Sequence, residues 1–503
     1  MSAIIVSSDV SGAVTLQAPN AAIGAVTVNL PANSMNMGNG GGNVYSNTAF
    51  GTSALNANTT GQANTAVGNS ALYSNTTGSS NTAYGSSALY SNTTGSLNDA
   101  FGLQTLYSNT TGTRNVAVGT TALFSNTTGQ YNTALGREAL YYNTTGSNNT
   151  AVGIDALVNN VTGSNNVAVG PNAMLSNLAD NNTAVGYYAL KANTTGTPND
   201  AFGNQALYNN TTGAANVGIG SSSLYTNTTG QNNTAVGNQA MYYNSTGSNS
   251  TALGQAALYR NTASNNTAVG FNVLLSTTSG SYNAALGGLN ASSVATLTSN
   301  TTGNYNVAVG AGALNSNSTG AGNVGVGYNA GQNISTGTNN IEIGYGVTAG
   351  SATATNEVTI GSNTTGGITG KGSNTAFISA NGGASYNGAN VTTWATTSDE
   401  RIKKNITPLT GSLASIIALN PVEFDYKEND KHEIGFIAQE YETVFPDQII
   451  THDANEAEKE WVGDDKVKAI QQNLTPYLVN SIKELKAELD AVKAELQTIK
   501  GAA

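Results

Sequence analysis

The sequence predicts a mainly β protein, in which a rod-like β-solenoid (a β-roll) of 17-residue repeats precedes a small α+β domain with a C-terminal coiled-coil helix. Three observations lead to this prediction: the repeat itself, the scarcity of charge before residue 398, and an apolar heptad pattern near the end of the chain. Five basic and eight acidic residues occur among residues 1–397, whereas residues 398–503 contain twelve and twenty. This change in charge places a domain boundary between Thr397 and Ser398.

Residues 1–46 precede the repeat and differ from it. Apolar residues alternate in "AVTLQAPNAAIGAVTVNLPA", and the Gly-rich "NMGNGGGN" that follows indicates a flexible joint. The segment resembles the short N-terminal pieces with which phage tail fibres attach to the particle. This resemblance implies that residues 1–46 bind a phage tail or baseplate.

Residues 47–344 contain the repeat, of which "NTAVGNSALYSNTTGSS" is a representative unit. Most units follow one another at intervals of 17 residues, with one longer interval of 23 between Asn283 and Asn306. The fifth position is Gly in every unit from Gly51 to Gly344, and the third position is almost always Ala. The eighth and ninth positions are usually Ala-Leu, and "SNTTG" or a close variant follows.

A unit of 17 residues is too short for two helices and a turn, whereas two short apolar segments closed by Gly-rich and Asn-rich turns suit one solenoid coil. The fifth-position Gly is expected at a corner with positive φ. Stacked strands lie about 4.8 Å apart, so seventeen coils would give a rod of about 80 Å with ladders of equivalent Asn, Thr and Tyr residues. Residues 345–397 are expected to form a distal fibre segment.

Aromatic residues recur at the tenth position of the unit. One interpretation is that they bind glycans. The favoured interpretation is that they stack for stability or fill a seam between chains. The residues concerned are Tyr73, Tyr90, Tyr107, Phe124, Tyr141, Tyr208, Tyr225, Tyr242 and Tyr259.

The sequences "NTAVG", "NVGVG" and "NEVTIGSNTTG" resemble the head repeats of trimeric bacterial adhesins. The resemblance implies β-rolls packed in threes, and hence a homotrimer. An adhesin is nevertheless the less favoured interpretation, because the N-terminus lacks the features of a secretory signal and the C-terminal sequence does not resemble a membrane-barrel anchor. The protein is expected to fold in a cytoplasm.

Several classes of site are not expected from the composition. The chain has no cysteine and only two histidines, His432 and His452, so no metal site and no cofactor are predicted. No apolar run approaches the ~20 residues of a membrane span, and no basic stripe is available to follow phosphates. Neither membrane insertion nor nucleic-acid binding is therefore expected.

Residues 398–503 are predicted to be α+β. The sequences "PVEFDY" (421–426) and "HEIGFIAQE" (432–440) are typical of short strands, the second leading into a helix. Apolar residues then alternate spacings of four and three over 478–499, which predicts a coiled coil, since a single such helix would expose its apolar seam. The seam consists of Leu478, Ile482, Leu485, Leu489, Val492, Leu496 and Ile499.

Three motifs of this domain occur in a recognisable order: "SDERIKKNI" from Ser398, "GFIAQE" from Gly435 and "LVNSIKEL" from Leu478. Together they resemble the endosialidase-type intramolecular chaperone of phage tail fibres and tailspikes. The resemblance implies a domain that trimerises, templates the folding of the preceding fibre, and cuts itself off between Thr397 and Ser398. It also implies that Ser398 and Lys403 form the catalytic dyad, and it leaves the roles of Gln439, Glu440 and His432 open.

The chemistry of such a dyad can be assessed from the residues alone. A serine hydroxyl becomes a nucleophile when a neighbouring base accepts its proton, and a lysine with a lowered pKa can be that base. Ser398 is covalently next to the carbonyl of Thr397, so the chain itself supplies proximity. The alternative is that "SDERIKK" is only a capped helix start with solvated charges. The three motifs together favour the dyad.

These observations favour a virion tail fibre that recognises a host-surface glycan or protein, with residues near 288–305 or 345–397 as candidate contacts. The alternatives are a trimeric adhesin and a fibre that degrades polysaccharide, which would need a pair of carboxylates. The rod has few carboxylates, scattered among different coils: Asp99, Glu138, Asp155, Asp180, Asp200, Glu342 and Glu357. An ice-binding solenoid is disfavoured because adjacent Thr side chains of "NTT" point to opposite sides.

Overall fold

The computed structural model describes residues 5–8, 14–17, 26–28, 37–38, 41–44, 46–362, 367–380, 383–388, 404–425, 431–453, 459–460, 466–471 and 474–501. The chain divides into two compact units, residues 1–397 and 398–503.

The first unit begins with short antiparallel strands. Strands β1 (Ile5–Ser8), β2 (Val14–Gln17) and β3 (Val26–Val28) form one sheet in that order. A further strand, β4 (Met37–Gly38), pairs antiparallel with the first strand of the repeat, and a 3₁₀ turn follows at Gly41–Asn43.

Twenty parallel strands, one from each successive coil, form the solenoid, so the predicted mainly β solenoid is confirmed. Each strand pairs in register with its equivalent in the next coil, as Ala66 pairs with Ala83 and Ala83 with Ala100. The strands are β5 (Thr48–Phe50), β6 (Thr65–Val67), β7 (Thr82–Tyr84), β8 (Asp99–Phe101), β9 (Val116–Val118), β10 (Thr133–Leu135), β11 (Thr150–Val152), β12 (Val167–Val169), β13 (Asn182–Val185), β14 (Asn199–Phe202), β15 (Asn216–Ile219), β16 (Thr234–Val236), β17 (Thr251–Leu253), β18 (Thr267–Val269), β19 (Ala284–Leu286), β20 (Val307–Val309), β21 (Val324–Val326), β22 (Ile341–Ile343), β23 (Val358–Ser362) and β24 (Thr375–Ala380).

The ladder continues past Gly344, the last residue at which the sequence shows the repeat. Strand β23 pairs in parallel with β22, and β24 pairs in parallel with β23. The last strand, β25 (Gly383–Gly388), turns back and pairs antiparallel with β24. The solenoid sheet therefore includes part of the segment 345–397.

The core of the rod is narrow because its strands contribute small side chains to it. In the strand "TAV" of β6, Ala66 is fully buried while Thr65 and Val67 are only partly covered. This is the alternation that a pleated strand imposes. The Ala-Leu pair of the unit, such as Ala71 and Leu72, is fully buried as well.

The second apolar segment of each coil is not a regular strand, which differs from the two strand-like segments that the sequence suggested. In the unit that begins at Asn64, Ser70 has φ 56° and Leu72 has φ 53°. Left-handed backbone costs a non-glycine residue roughly 1–2 kcal/mol. Burial of the leucine side chain, worth roughly 1.5–3 kcal/mol, offsets this cost. The Leu72 amide still donates to the Ala88 carbonyl of the next coil at 3.0 Å, so neighbouring coils remain hydrogen-bonded.

The fifth-position glycine fills the role that the sequence predicted for it. Gly68 has φ 136°, a conformation that favours glycine. A Cβ at this position would also stand 2.5 Å from the Gly85 carbonyl oxygen of the next coil. Both the dihedral angle and the close approach of the next coil therefore require glycine.

Two buried columns of asparagine hold the coils together. The Asn109 side chain donates to Asn92 Oδ1 at 2.7 Å and to the Gly112 carbonyl at 3.1 Å. The Asn98 side chain, in the other column, donates to the same carbonyl at 2.9 Å, and its backbone amide donates to Asn81 Oδ1 at 3.0 Å. Because a buried amide without a partner costs roughly 1–3 kcal/mol, these columns are stable only while equivalent residues stay aligned.

The second unit is α+β, as the sequence predicted. Strand β26 (Val422–Asp425) pairs antiparallel with β27 (His432–Gly435), and β28 (Ile449–Asp453) pairs antiparallel with β29 (Lys466–Ile470). Helix α1 (Ser412–Ile417) precedes them, helix α2 (Ala438–Glu442) follows β27, and a 3₁₀ turn spans Pro446–Gln448. The long helix α3 (Thr475–Gly501) contains the predicted coiled-coil segment 478–499.

Candidate functional site

The predicted cleavage residues Thr397 and Ser398 and the predicted base Lys403 lie outside the described residues. The description of the second unit begins at the exposed Lys404. The dyad of Ser398 and Lys403 therefore stays a prediction from sequence, and the described part of the unit shows the scaffold that follows it.

Aromatic packing organises this scaffold. Tyr441 of α2 is 1% exposed, and its hydroxyl donates to Gln448 Oε1 at 2.8 Å. Its ring centroid lies 5.5 Å from that of Phe436 and 5.4 Å from that of Phe445. Phe445 in turn contacts Tyr477 edge to face at 4.7 Å. This small core joins β27, α2 and the start of α3, and it contains Phe436 of the "GFIAQE" motif.

Helix α1 is capped by a carboxylate from α3. The Glu484 carboxylate accepts hydrogen bonds from the backbone amides of Gly411 at 2.8 Å, Ser412 at 3.3 Å and Leu413 at 2.7 Å. Asn480 donates to Glu484 Oε1 at 2.8 Å and to Ser412 Oγ at 2.9 Å. The hydrogen bonds from Leu413 and its neighbours lower the pKa of Glu484. "LVNSIKEL" thus supplies the residues that hold α1, which the motif alone did not indicate.

Replacing Glu484 with Gln should loosen α1, because the amide group offers one acceptor oxygen where the carboxylate offers two. The lowered pKa means that the carboxylate stabilises the fold at pH values above its usual range near 4.3, and that this contribution is lost as the pH falls through the folded-state pKa. Hydrogen exchange at Gly411, Ser412 and Leu413 should therefore be faster in the variant at neutral pH and similar to wild type in acid. Glu488→Gln, one turn further along α3, is the matched control. Equal protection in all three proteins at neutral pH would contradict the capping role.

The other residues whose roles the sequence left open lie on the surface of this unit. Glu440 Oε2 accepts a hydrogen bond from the Asn420 side chain at 3.2 Å, and His432 Nδ1 lies 2.8 Å from Asp425 Oδ1. Gln439 is exposed. Within the part of the chain that the structure describes, these contacts assign no catalytic role to Gln439, Glu440 or His432.

The predicted heptad seam of α3 is exposed in the single chain. Its seven apolar residues are between 44% and 67% exposed. They lie on a regular helix of 27 residues. An exposed apolar seam of this length is typical of helices that form coiled coils, and the coiled coil itself stays a prediction.

The tenth-position aromatics of the rod form two stacked columns. From Tyr73 to Tyr141 adjacent ring centroids are 5.0 to 5.1 Å apart, and from Tyr208 to Tyr259 they are 4.9 to 5.4 Å apart. The rings are half-buried, and their separation follows the spacing of the coils. Stacking is thus present, while glycan binding by these columns stays a prediction.

The rod's carboxylates are less scattered than the sequence suggested. Glu342 and Glu357 lie in adjacent coils, and both are fully buried. An external polysaccharide therefore has no access to this pair, which does not form a glycosidase site. Within the described residues, no cluster of three or more His, Cys, Asp or Glu side chains is placed to hold a metal ion, and no helix is long and apolar enough to cross a membrane.

Comparison with known families gives a match in the second unit. Residues 398–450 match the family described as "Chaperone of endosialidase", whose members are self-cleaving chaperone domains. Comparisons with curated proteins and with solved structures return no match. The match covers the motifs "SDERIKKNI" and "GFIAQE" and begins at Ser398. The chain thus carries a chaperone-of-endosialidase domain after a parallel β-solenoid, an architecture that fits a phage tail fibre or tailspike.

Proposed function

We propose that the chain is a phage tail fibre protein whose C-terminal domain trimerises, assists folding of the rod and then releases itself by cutting the bond between Thr397 and Ser398. One coincidence carries the proposal. The family match begins at Ser398, and the division of the chain into two compact units falls at the same peptide bond. A cut at this bond would therefore separate the two units and release the whole C-terminal domain.

The proposed cleavage uses residues of this chain alone. The Ser398 hydroxyl oxygen attacks the Thr397 carbonyl carbon while the Lys403 amine accepts the hydroxyl proton. The peptide nitrogen of Ser398 leaves with a proton as a new amino terminus, which leaves Thr397 joined to Ser398 Oγ as an ester. Water then hydrolyses the ester and yields a chain that ends at Thr397 and a released domain that begins with Ser398. The enzyme acts once, on itself.

The proposed trimer is supported by the exposed seam of α3. Mixed Leu and β-branched residues in a heptad core are compatible with three strands. Three copies of α3 would remove the seam from water and hold three chains in register at one end. A homotrimer is also what the resemblance of the rod to adhesin head repeats implies.

The remaining partners follow from the parts of the chain outside this domain. Residues 1–46 would attach the fibre to the phage tail or baseplate, and the rod would present its distal segment to a glycan or protein on the host surface. The fibre would fold in the host cytoplasm and act in the virion. The low charge of the rod is compatible with a structural role along most of its length.

Expression of the full chain followed by a denaturing gel tests the proposal. Because the cut follows Thr397, the wild-type protein should give two products, of 397 and 106 residues. Mass spectrometry should find Ser398 at the N-terminus of the smaller product. Ser398→Ala should give one uncut chain, whereas Ser415→Ala, a serine in α1, should be cut normally. A folded wild-type trimer that stays whole would refute self-cleavage.

A further inference from the structure

Two glutamates are buried inside the last parallel coils of the rod. Glu342 occupies the third position of its unit, where nearly all other units have Ala, and Glu357 follows Asn340 in a column otherwise made almost entirely of Asn. Both side chains are 0% exposed. In the ladder, Glu342 of β22 lies directly opposite Thr359 of β23, which is also 0% exposed. A departure from the repeat therefore brings two acids and a hydroxyl together in the core.

Glu357 is held in place by backbone amides. Its Oε1 accepts a hydrogen bond from Gly372 at 2.7 Å, and its Oε2 accepts one from Gly350 at 2.9 Å. A Cβ added to Gly370 would stand 2.0 Å from Glu357 Oε1 and 2.5 Å from Thr359 Oγ1. The carboxylate and the hydroxyl both approach residue 370 so closely that only glycine fits there.

The other oxygens of the cluster lack well-formed hydrogen bonds among the described residues. The Thr359 hydroxyl lies opposite Glu342 in the ladder and interacts with its carboxyl group, but neither side chain has a partner at full hydrogen-bond geometry. Lys371, the basic residue nearest in sequence, lies over the Phe377 ring with Nζ 4.7 Å from the centroid, and the described contacts include no ion pair between it and either glutamate. Burial, reinforced by the charge of Glu357, raises the pKa of Glu342 to about 8. A buried ionised carboxylate is costly, so Glu342 carries a proton at neutral pH unless a cation binds beside it.

We propose that the carboxylates of Glu342 and Glu357, together with the Thr359 hydroxyl, bind one Ca²⁺ ion that joins the last coils of the rod. All the available ligand atoms are oxygen, which favours a hard cation over zinc or copper. Two carboxylates balance the charge of one divalent ion. Ca²⁺ suits a dry and irregular site better than Mg²⁺, which loses its bound water reluctantly and requires near-octahedral geometry.

The site would stabilise the end of the solenoid, at the coils where the regular columns of Ala and Asn side chains end. The ion would connect β22, β23 and, through the amides that hold Glu357, the residues Gly350 and Gly372. It would thereby replace the cohesion that the asparagine columns supply elsewhere. This role does not depend on the proposed self-cleavage.

Calcium titration of the full chain by isothermal calorimetry, after EDTA treatment and removal of EDTA, tests the proposal. We expect one Ca²⁺ per chain and a higher unfolding temperature in its presence. Glu342→Ala and Glu357→Asn should each weaken binding by at least about tenfold. Both substitutions restore the residue that the repeat normally has, so both variants are expected to fold. Glu138→Gln, at the one other glutamate of the rod, is the matched control and should bind as wild type does.

Two outcomes would overturn the proposal. One is the absence of Ca²⁺ binding in the wild-type chain, or binding that both variants retain unchanged. The other is a Glu342→Ala variant that raises the unfolding temperature equally with and without Ca²⁺, which would mean that Glu342 is accommodated as a neutral acid.

Discussion

Replacing Lys403 with Ala should leave the purified protein as a single 503-residue chain, whereas replacing Lys404 with Ala should leave self-cleavage intact. The two substitutions remove the same charge from adjacent positions, so they differ only in the placement of the amine. A general base typically contributes a factor of about 10²–10⁴ to the rate. We therefore expect cleavage of the Lys403→Ala protein to slow by at least about 100-fold.

A third variant separates charge from basicity. Lys403→Arg keeps the positive charge, but a guanidinium group stays protonated at any accessible pH and cannot accept the serine proton. It should therefore remain uncut like Lys403→Ala. Timed samples of the folded protein on denaturing gels measure all three rates. If the two alanine variants were cut at the same rate, Lys403 would not be the base, and "SDERIKK" would be better explained as a capped helix start.

The sequence predicted the repeat architecture well because each position of the unit has one environment. A strand with Ala at its centre can face a narrow interior in every coil, and a glycine in the fifth position marks the same corner each time. Periodicity turns these local preferences into a single consistent fold. The same reasoning failed for the second apolar segment, since a Leu such as Leu72 in left-handed backbone is contrary to its intrinsic preference. The stacking of neighbouring coils decides that conformation.

Departures from the repeat were harder to interpret. Glu342 and Glu357 are 15 residues apart, and they meet because consecutive units stack with a 17-residue period. The 17-residue period could have indicated that the two glutamates are neighbours. A search for carboxylates along the linear sequence did not take the stacking of the coils into account. In the second unit, the sequence predicted strands within 421–426 and 432–440 and a coiled-coil helix over 478–499, and the structure has strands at 422–425 and 432–435 and the helix α3. It did not predict that Glu484 caps α1, because this contact joins residues about seventy positions apart.

Expression of residues 1–397 without the C-terminal domain should yield few native rods. Each coil of the rod nearly repeats the next, so two chains displaced by one coil keep almost all of their contacts and lose only those at the ends. Sequence alone therefore provides little free-energy difference between correct and shifted alignments. Partly assembled rods also expose parallel strand edges, which promote aggregation.

The expected result is a loss of soluble, protease-resistant trimers by about tenfold or more relative to the full chain, measured by light scattering and limited proteolysis. Full-length Ser398→Ala is the essential control, because it keeps the domain but cannot cut. It should assemble rods as the wild type does, which would separate the chaperone role from cleavage. If the truncated chain assembled as readily as Ser398→Ala, the rod itself would have to set the alignment. Departures from the repeat, such as the 23-residue interval after Asn283, would then be the candidate alignment signals. If instead only the Ser398→Ala and wild-type chains assemble, the three-stranded seed at α3 sets the alignment. Cleavage afterwards makes this alignment irreversible, because the released rods no longer carry the element with which they could exchange partners.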